Sequence, residues 1–226
     1  MNPSTLVDLN LLDPLPTDPV PETTEKPSGQ AEEGDRSLRS GSLITLTGPS
    51  GVGKGTLLSR LLEKHPDLHY SISVTTRDPR PGEVDGVDYY FCSRDEFLAL
   101  RAANGLLEWA EYASNFYGTP VKPVRDKLEQ GFDVLLEIEL DGVRQVAQHW
   151  PQAVRIFVQP PSMTELERRL RARGSESESS IQRRLAKARA EMAAIKEFDH
   201  VVVNDEMDQA LDQLEDILFA SSVRSR

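Results

Sequence analysis

From residue 42 onward, apolar positions fall into short runs separated by amphipathic stretches. Leu43 to Thr47, Ala153 to Val158 and His200 to Val203 read as strands. Asp133 to Glu139 is a nearly continuous apolar run, as a strand buried on both faces should be. Between these runs apolar residues recur at helical spacing over 54–64, 142–149, 163–173, 180–196 and 207–219. In the first of these helices, leucines 57, 58, 61 and 62 form a single apolar face. Strands alternating with helices predict a parallel α/β sheet. Residues of about 74–130 interrupt that alternation. Ser71 to Thr76 alternates and is β-branched, so it reads as a strand end running into a loop, and Asp78 to Gly86 has loop chemistry. Tyr89 to Cys92 reads as a short strand. Ser93-Arg94-Asp95-Glu96 is a capping box opening a helix to about 103. Leu106 to Tyr112 and Phe116 to Thr119 predict a hairpin, and Val121 to Glu129 a helix ending at Gly131. The expectation is an α+β lobe inserted into the sheet protein.

Residues 1–40 carry six of the fifteen prolines, eight acids against three bases, and no aromatic residue. Such a segment cannot bury enough surface to offset its ordering entropy, so it reads as a disordered acidic tail. Residues 220–226 read as a short C-terminal tail. The net charge of −11 and pI near 4.9 argue against a nucleic-acid partner. The single Cys92 excludes an internal disulfide, and His65, His69, His149 and His200 lack metal-ligand spacing, so all four read as surface or structural. No apolar run approaches the ~20 residues that span a bilayer. The acidic N-terminus matches neither a secretory signal nor a transit peptide. The chain reads as a cytoplasmic protein with no membrane partner.

The first candidate chemistry follows the first strand. Gly48-Pro49-Ser50-Gly51-Val52-Gly53-Lys54-Gly55-Thr56 departs by one letter from the phosphate-loop pattern G-x-x-x-x-G-K-[ST]. Glycines 48, 51, 53 and 55 suit positive φ angles and close phosphate approach. Backbone N–H groups at the start of a helix cradle anions. Lys54 adds a mobile cation for β- and γ-phosphates. Strand, glycine loop and amphipathic helix together disfavour a chance glycine-rich turn. With Gly55 in the hydroxyl position and Thr56 one step later, the order G-K-G-T resembles nucleoside monophosphate kinases more than switch GTPases.

A second set lies in the insert: Ser73, Thr75-Thr76-Arg77-Asp78-Pro79-Arg80, Gly82-Glu83, Tyr89, Glu108-Trp109-Ala110, and Tyr117-Gly118-Thr119. Arg77 and Arg80 can fork onto one phosphate, and Tyr89 and Tyr117 offer hydroxyls to the same group. Glu108 offers two acceptors in one plane, which suits the adjacent N1–H and N2–H₂ donors of guanine and repels the N1 acceptor of adenine. Trp109 and Tyr112 read as core. With the phosphate loop, these motifs resemble the guanylate kinase family over residues 42–219, in its bacterial type with an N-terminal extension.

That resemblance implies a P-loop nucleoside monophosphate kinase fold. Its parts are a parallel five-stranded core sheet with helices on both faces, a GMP-binding lobe at about 74–130 and a helical lid at about 170–190. It implies transfer of the γ-phosphoryl of ATP to GMP, with Mg²⁺ as cofactor, ATP and GMP as partners, and a monomer or a homodimer. Carried over by motif, Lys54, Arg169, Arg173 and Arg184 are the catalytic cations, and residues 48–56 bind ATP. Ser73, Arg77, Arg80, Tyr89, Glu108, Tyr117, Thr119 and Glu139 bind GMP, with Ser73 and Thr119 as donors to guanine O6. Thr56 and Glu137 serve Mg²⁺, Glu137 through water. At the end of the central strand the family's usual acidic-x-acidic pair followed by Q-G stands here as Glu137-Ile138-Glu139-Leu140-Asp141-Gly142, with glutamate at both acids and Asp141 for Gln. Alternation puts Glu137 and Glu139 on one side. Two other readings compete. One is a peptide-binding module of the same fold, disfavoured by the intact glycines and Lys54. The other is a kinase for another monophosphate, disfavoured by Glu108 with Ser73 and Thr119.

Overall fold

A computed structural model describes residues 41–172 and 177–219. The tails expected at 1–40 and 220–226, and Arg173 with Gly174, lie outside the described residues. The element order is β1 (Leu43–Thr47), α1 (Lys54–Lys64), β2 (His69–Tyr70), β3 (Val74–Thr75), β4 (Tyr90–Phe91), α2 (Arg94–Ala102), β5 (Leu106–Tyr112), β6 (Asn115–Pro120) and α3 (Val121–Glu129). It continues with β7 (Val134–Glu137), α4 (Leu140–His149), β8 (Val154–Gln159), α5 (Met163–Ala172), α6 (Glu178–Ala193), β9 (His200–Val203) and α7 (Met207–Phe219). The larger sheet is parallel and five-stranded, in the order β2-β7-β1-β8-β9. This is the α/β architecture that the alternation of buried strands and helices predicts.

The chain forms two compact units. One holds Ile44–Leu68, Glu137–Leu140 and the chain from Val154 on. Its core is the β1–β8 pair, where Ile44, Leu46, Ile156 and Phe157 are at most 1% exposed, with Leu57 and Leu61 of α1 wholly buried. Helices α5 and α6 pack on each other through Leu166, Leu170, Ile181, Leu185 and Ala188. Ser177 caps α6, its side chain accepting from the Ser180 N–H.

The other unit contains His69–Leu136 and Asp141–Ala153. It carries a four-stranded mixed sheet in the order β4-β3-β6-β5. Strand β3 runs parallel to β4 and antiparallel to β6, and β5 pairs antiparallel with β6. Val74, Phe97, Leu100, Leu106 and Phe116 form its core. The rings of Phe97 and Phe116 stack at 5.1 Å between centroids. Helix α2 begins in the expected capping box: Ser93 accepts from the Glu96 N–H, and Glu96 accepts from the Ser93 N–H.

Two expectations are corrected. Ser71 to Thr76, expected as a strand end running into a loop, instead passes from one sheet to another. The Ser71 N–H still donates to the Leu135 carbonyl at 3.0 Å beside the large sheet, while β3 starts at Val74 in the small one. Alternating β-branched residues favour extension but say nothing about which sheet they join, so the change of sheet left no mark on the pattern. Tyr112 is 67% exposed rather than core, because it stands next to the turn at the outer end of the hairpin. Trp109 does pack, half-buried, against the core of its unit.

Phe97 is wholly buried, so Phe97→Ala should destabilise the protein by about 3–5 kcal/mol through lost transfer energy and a residual cavity. Urea unfolding monitored by circular dichroism measures this.

Candidate active site

The glycine-rich loop leaves β1 at Thr47 and enters α1 at Lys54. Two glycines fix its course. A Cβ on Gly48 would lie 2.1 Å from the Val158 carbonyl oxygen, so only glycine lets the loop pass the neighbouring strand. Gly53 is the helix N-cap at φ 103°, and a Cβ there would lie 2.5 Å from Asn204 Nδ2. That same Nδ2 donates to the Val52 carbonyl at 2.8 Å, and Asn204 is 2% exposed. Gly55 differs from the sequence expectation. It is an ordinary helical residue with no positive φ, and a Cβ there would meet nothing within 4 Å. Neither backbone conformation nor space excludes a side chain at Gly55.

Lys54 curls over the loop, its Nζ donating to the carbonyls of Gly48 (2.5 Å) and Pro49 (3.3 Å). Burial pushes its ammonium below the ordinary lysine range, and the carboxylates of Glu137, Glu191 and Glu139 oppose that shift. Glu137 is the last residue of β7 and Glu139 lies two residues on, so both acids act on the same cation. Glu139 also pairs with Lys187 of α6. Glu191, one turn further along α6, is 8% exposed and approaches Lys187 Nζ at 3.9 Å through Oε1. Its other oxygen, Oε2, makes no hydrogen bond among the described residues. Burial, with Glu139 nearby, raises the Glu191 carboxyl above its usual range.

Two of the three expected arginines reach the loop. Arg184 Nη2 donates to Ser50 Oγ at 2.5 Å. Arg169 Nη1 donates to the Asn204 carbonyl (2.9 Å) and the Val52 carbonyl (3.4 Å), while its Nε is held by Glu165 (2.7 Å). Arg169 therefore braces the loop from its flank. Arg173 lies outside the described residues.

In the other unit, Arg77 makes a two-point ion pair with Glu83, both N···O distances being 2.9 Å. Its guanidinium also bonds Tyr117 and lies 5.4 Å from the Tyr89 ring centroid. Glu83 further accepts from the Arg80 backbone N–H at 2.7 Å, so one carboxylate orders the loop carrying both arginines. That bonding holds the Glu83 carboxyl below its usual range. The Arg80 side chain is exposed in the same loop. Half-buried Ser73 precedes β3, its carbonyl accepting from the Tyr90 N–H.

Glu108 is 6% exposed. Its burial beside Leu106 and Leu107 breaks strict alternation, because the β5–β6 register shifts between Leu106 and Glu108. Thr119 Oγ1 donates to Glu108 Oε1 at 2.6 Å. A hydroxyl has one proton, so Thr119 in this arrangement orients the carboxylate rather than donating elsewhere.

The pattern singled out most of these residues, but it missed the partner roles of Asn204, Lys187, Glu191 and Glu83. Only Asn204 left a usable signal, standing at the carboxyl end of a strand in a parallel sheet, where such folds bind ligands.

A sequence model of the guanylate kinase family matches residues 40–221. A guanylate kinase of Synechococcus sp. (strain JA-3-3Ab) is 63% identical over 182 residues, covering 80% of this chain and 84% of that protein. One from Desulfitobacterium hafniense (strain Y51) is 53% identical over 184 residues, covering 81% and 92%. The crystal structure of guanylate kinase from Anaplasma phagocytophilum superposes with a TM-score of 0.65 at 34% identity, covering 84% of this chain and 92% of that one. The chain belongs to the guanylate kinase family. It is accordingly a nucleoside monophosphate kinase, and the competing reading as a peptide-binding module is set aside.

Burial, with Glu96 and Asp85 nearby, pushes the Cys92 thiol up to about 12. No helix among the described residues is long and apolar enough to cross a membrane.

The two glycines around Lys54 should respond oppositely to alanine. Gly53→Ala forces a left-handed residue against Asn204 and should cost about 1–3 kcal/mol. Gly55→Ala lies in open helix and should be neutral or stabilising by up to ~1 kcal/mol. Thermal unfolding of the two variants tests the contrast.

Proposed function

We propose that the phosphate loop, residues 48–56, holds ATP, and that Lys54, Arg169, Arg173 and Arg184 neutralise the phosphoryl group as it moves to GMP. The reaction is ATP plus GMP giving ADP and GDP. The observation that carries the assignment of the loop is Lys54 folded onto the Gly48 and Pro49 carbonyls. A cation held there by weakly competing carbonyls can turn to phosphate oxygens, which bind it far better. Phosphoryl transfer depends mainly on positioning and charge neutralisation, and these cations supply both without a nucleophilic Cys or His. Arg184 on α6 touches Ser50 of the loop, which supports a lid of about 170–190 that carries arginines to the phosphates and excludes water.

The GMP lobe, on this reading, is 74–130. Arg77, Arg80, Tyr89 and Tyr117 take the phosphate of GMP. Glu83 holds the Arg77 fork in one orientation until that phosphate competes for it. Glu108, oriented by Thr119 and joined by Ser73, takes the guanine, and Glu139 the amino group once Lys187 releases it. A buried Glu108 carboxylate facing adenine would lose its donors, at a cost of about 1–3 kcal/mol for each unsatisfied group.

Mg²⁺ fits the residues at hand. The described residues contain no cluster of three or more His, Cys, Asp or Glu able to cage a metal, and Mg²⁺ bound with a nucleotide keeps several waters and needs only one or two protein oxygens. Thr56, exposed in the first turn of α1, and Glu137, whose charge acts on Lys54, are hard oxygen donors of that kind. When bound, the ion would shield the β- and γ-phosphate oxygens. The cytoplasm, where ATP and GMP are both held, is the compartment this function implies.

Lys54→Ala should lower kcat roughly 10²-fold or more while GMP still binds with near-native affinity. Rapid-quench turnover and calorimetric titration with GMP test this; native turnover would refute the assignment of the loop. Glu108→Gln should lower the kcat/KM ratio of GMP over AMP by about tenfold; an unchanged ratio would refute the assignment of Glu108.

A further inference from the structure

Strand β5 lies at the edge of the four-stranded sheet. An edge strand has one row of backbone groups with no neighbouring strand. At Trp109 that row is closed by a side chain. Gln145 of α4 accepts from the Trp109 N–H at 3.1 Å through Oε1 and donates to the Trp109 carbonyl at 2.9 Å through Nε2. A primary amide carries one acceptor and one donor side by side, the same pair that a neighbouring strand would present. Gln145 thus acts as one rung of a missing strand.

The position of that rung is informative. The Trp109 N–H belongs to the peptide joining it to Glu108, so fixing that peptide fixes the backbone torsion on the C-terminal side of Glu108. On the N-terminal side the ladder is irregular, since the register shifts between Leu106 and Glu108. Strand pairing alone therefore holds Glu108 less firmly than a residue in a regular ladder. Three further contacts converge there. Thr119 fixes the carboxylate, Arg101 stacks on the Trp109 ring at 3.8 Å, and Gly118 admits the Glu108 backbone so closely that a Cβ would lie 2.8 Å from the Glu108 carbonyl oxygen.

We propose that Gln145 is a positioning residue for guanine selection: by clamping both peptide groups of Trp109 it sets the direction from which Glu108 meets the base. The inference rests on the reading of Glu108 as the guanine acceptor. A planar, two-point hydrogen-bond pattern tolerates little rotation, so a displaced Glu108 weakens both bonds to the base and with them GMP binding. Gln145 touches no substrate atom in this scheme; it acts through Glu108.

The test compares GMP with IMP, which keeps N1–H and O6 but lacks the 2-amino group. Gln145→Met preserves helix volume and removes both hydrogen bonds. It should raise KM for GMP roughly tenfold and lower the GMP-to-IMP ratio of kcat/KM, with KM for ATP and kcat at saturating GMP unchanged. Added to Glu108→Gln, it should change that ratio no further. A native GMP KM in Gln145→Met overturns the proposal, and so does an equal rise in the KM values of GMP and ATP, which marks general loosening. Glu108→Gln alone separates the two claims. If it leaves the GMP-to-IMP ratio native, the reading of Glu108 falls and the inference with it. If it shifts the ratio and Gln145→Met does not, only the inference falls. Should Gln145→Met fail to fold, Gln145→Glu serves. It keeps the acceptor for the Trp109 N–H but turns a second oxygen on the Trp109 carbonyl, so a raised GMP KM is expected and a native one overturns the proposal.

Discussion

A partly buried ammonium organises the glycine-rich loop between β1 and α1. Burial disfavours the charged form of Lys54, and an uncompensated buried charge is costly. Compensation comes from several places at once. Two loop carbonyls accept from Nζ, and Glu137, Glu139 and Glu191 contribute field. For the carbonyls to converge, the loop must turn tightly past Val158, which requires Gly48, and must enter α1 through a left-handed residue, which requires Gly53. Asn204 and Arg169 then hold the Val52 carbonyl from the other side. Each element of the loop follows from holding one partly buried cation in place.

The same logic, with the sign reversed, governs the small sheet. Glu108 is a buried carboxylate, and it is directed. A β-bulge turns it inward, Thr119 orients one oxygen, and the paired strand approaches at a glycine. Arg77 is treated alike. Glu83 accepts from both of its Nη atoms, so the fork is already oriented before any phosphate competes for it. Preorganisation of this kind reduces the ordering cost of binding.

The long elements were legible because their signals are local. The apolar run of β7, the leucine face of α1 and the capping box at Ser93 each identify themselves within a few residues. The glycine loop was legible because its spacing carries its mechanism. What the pattern could not carry was long-range pairing. The change of sheet between Tyr70 and Val74, and the partners of residues far apart in sequence, depend on three-dimensional proximity: Gln145 with Trp109, Lys187 with Glu139, Asn204 with Val52. Gly55 misled for a different reason. It sits in a glycine-rich motif, yet its backbone is helical and its surroundings open. Tyr112 misled because aromatic strand residues usually pack, and this one sits beyond the core at the hairpin's end.

The central claim is that a carboxylate-lined lobe confines a phosphate-loop kinase to guanine. The most direct measurement is phosphoryl transfer from γ-labelled ATP to GMP, IMP, AMP and CMP under identical conditions. The account predicts efficient labelling of GMP, with IMP well below it and AMP and CMP lower still. Labelling of AMP at a rate comparable with GMP would contradict it.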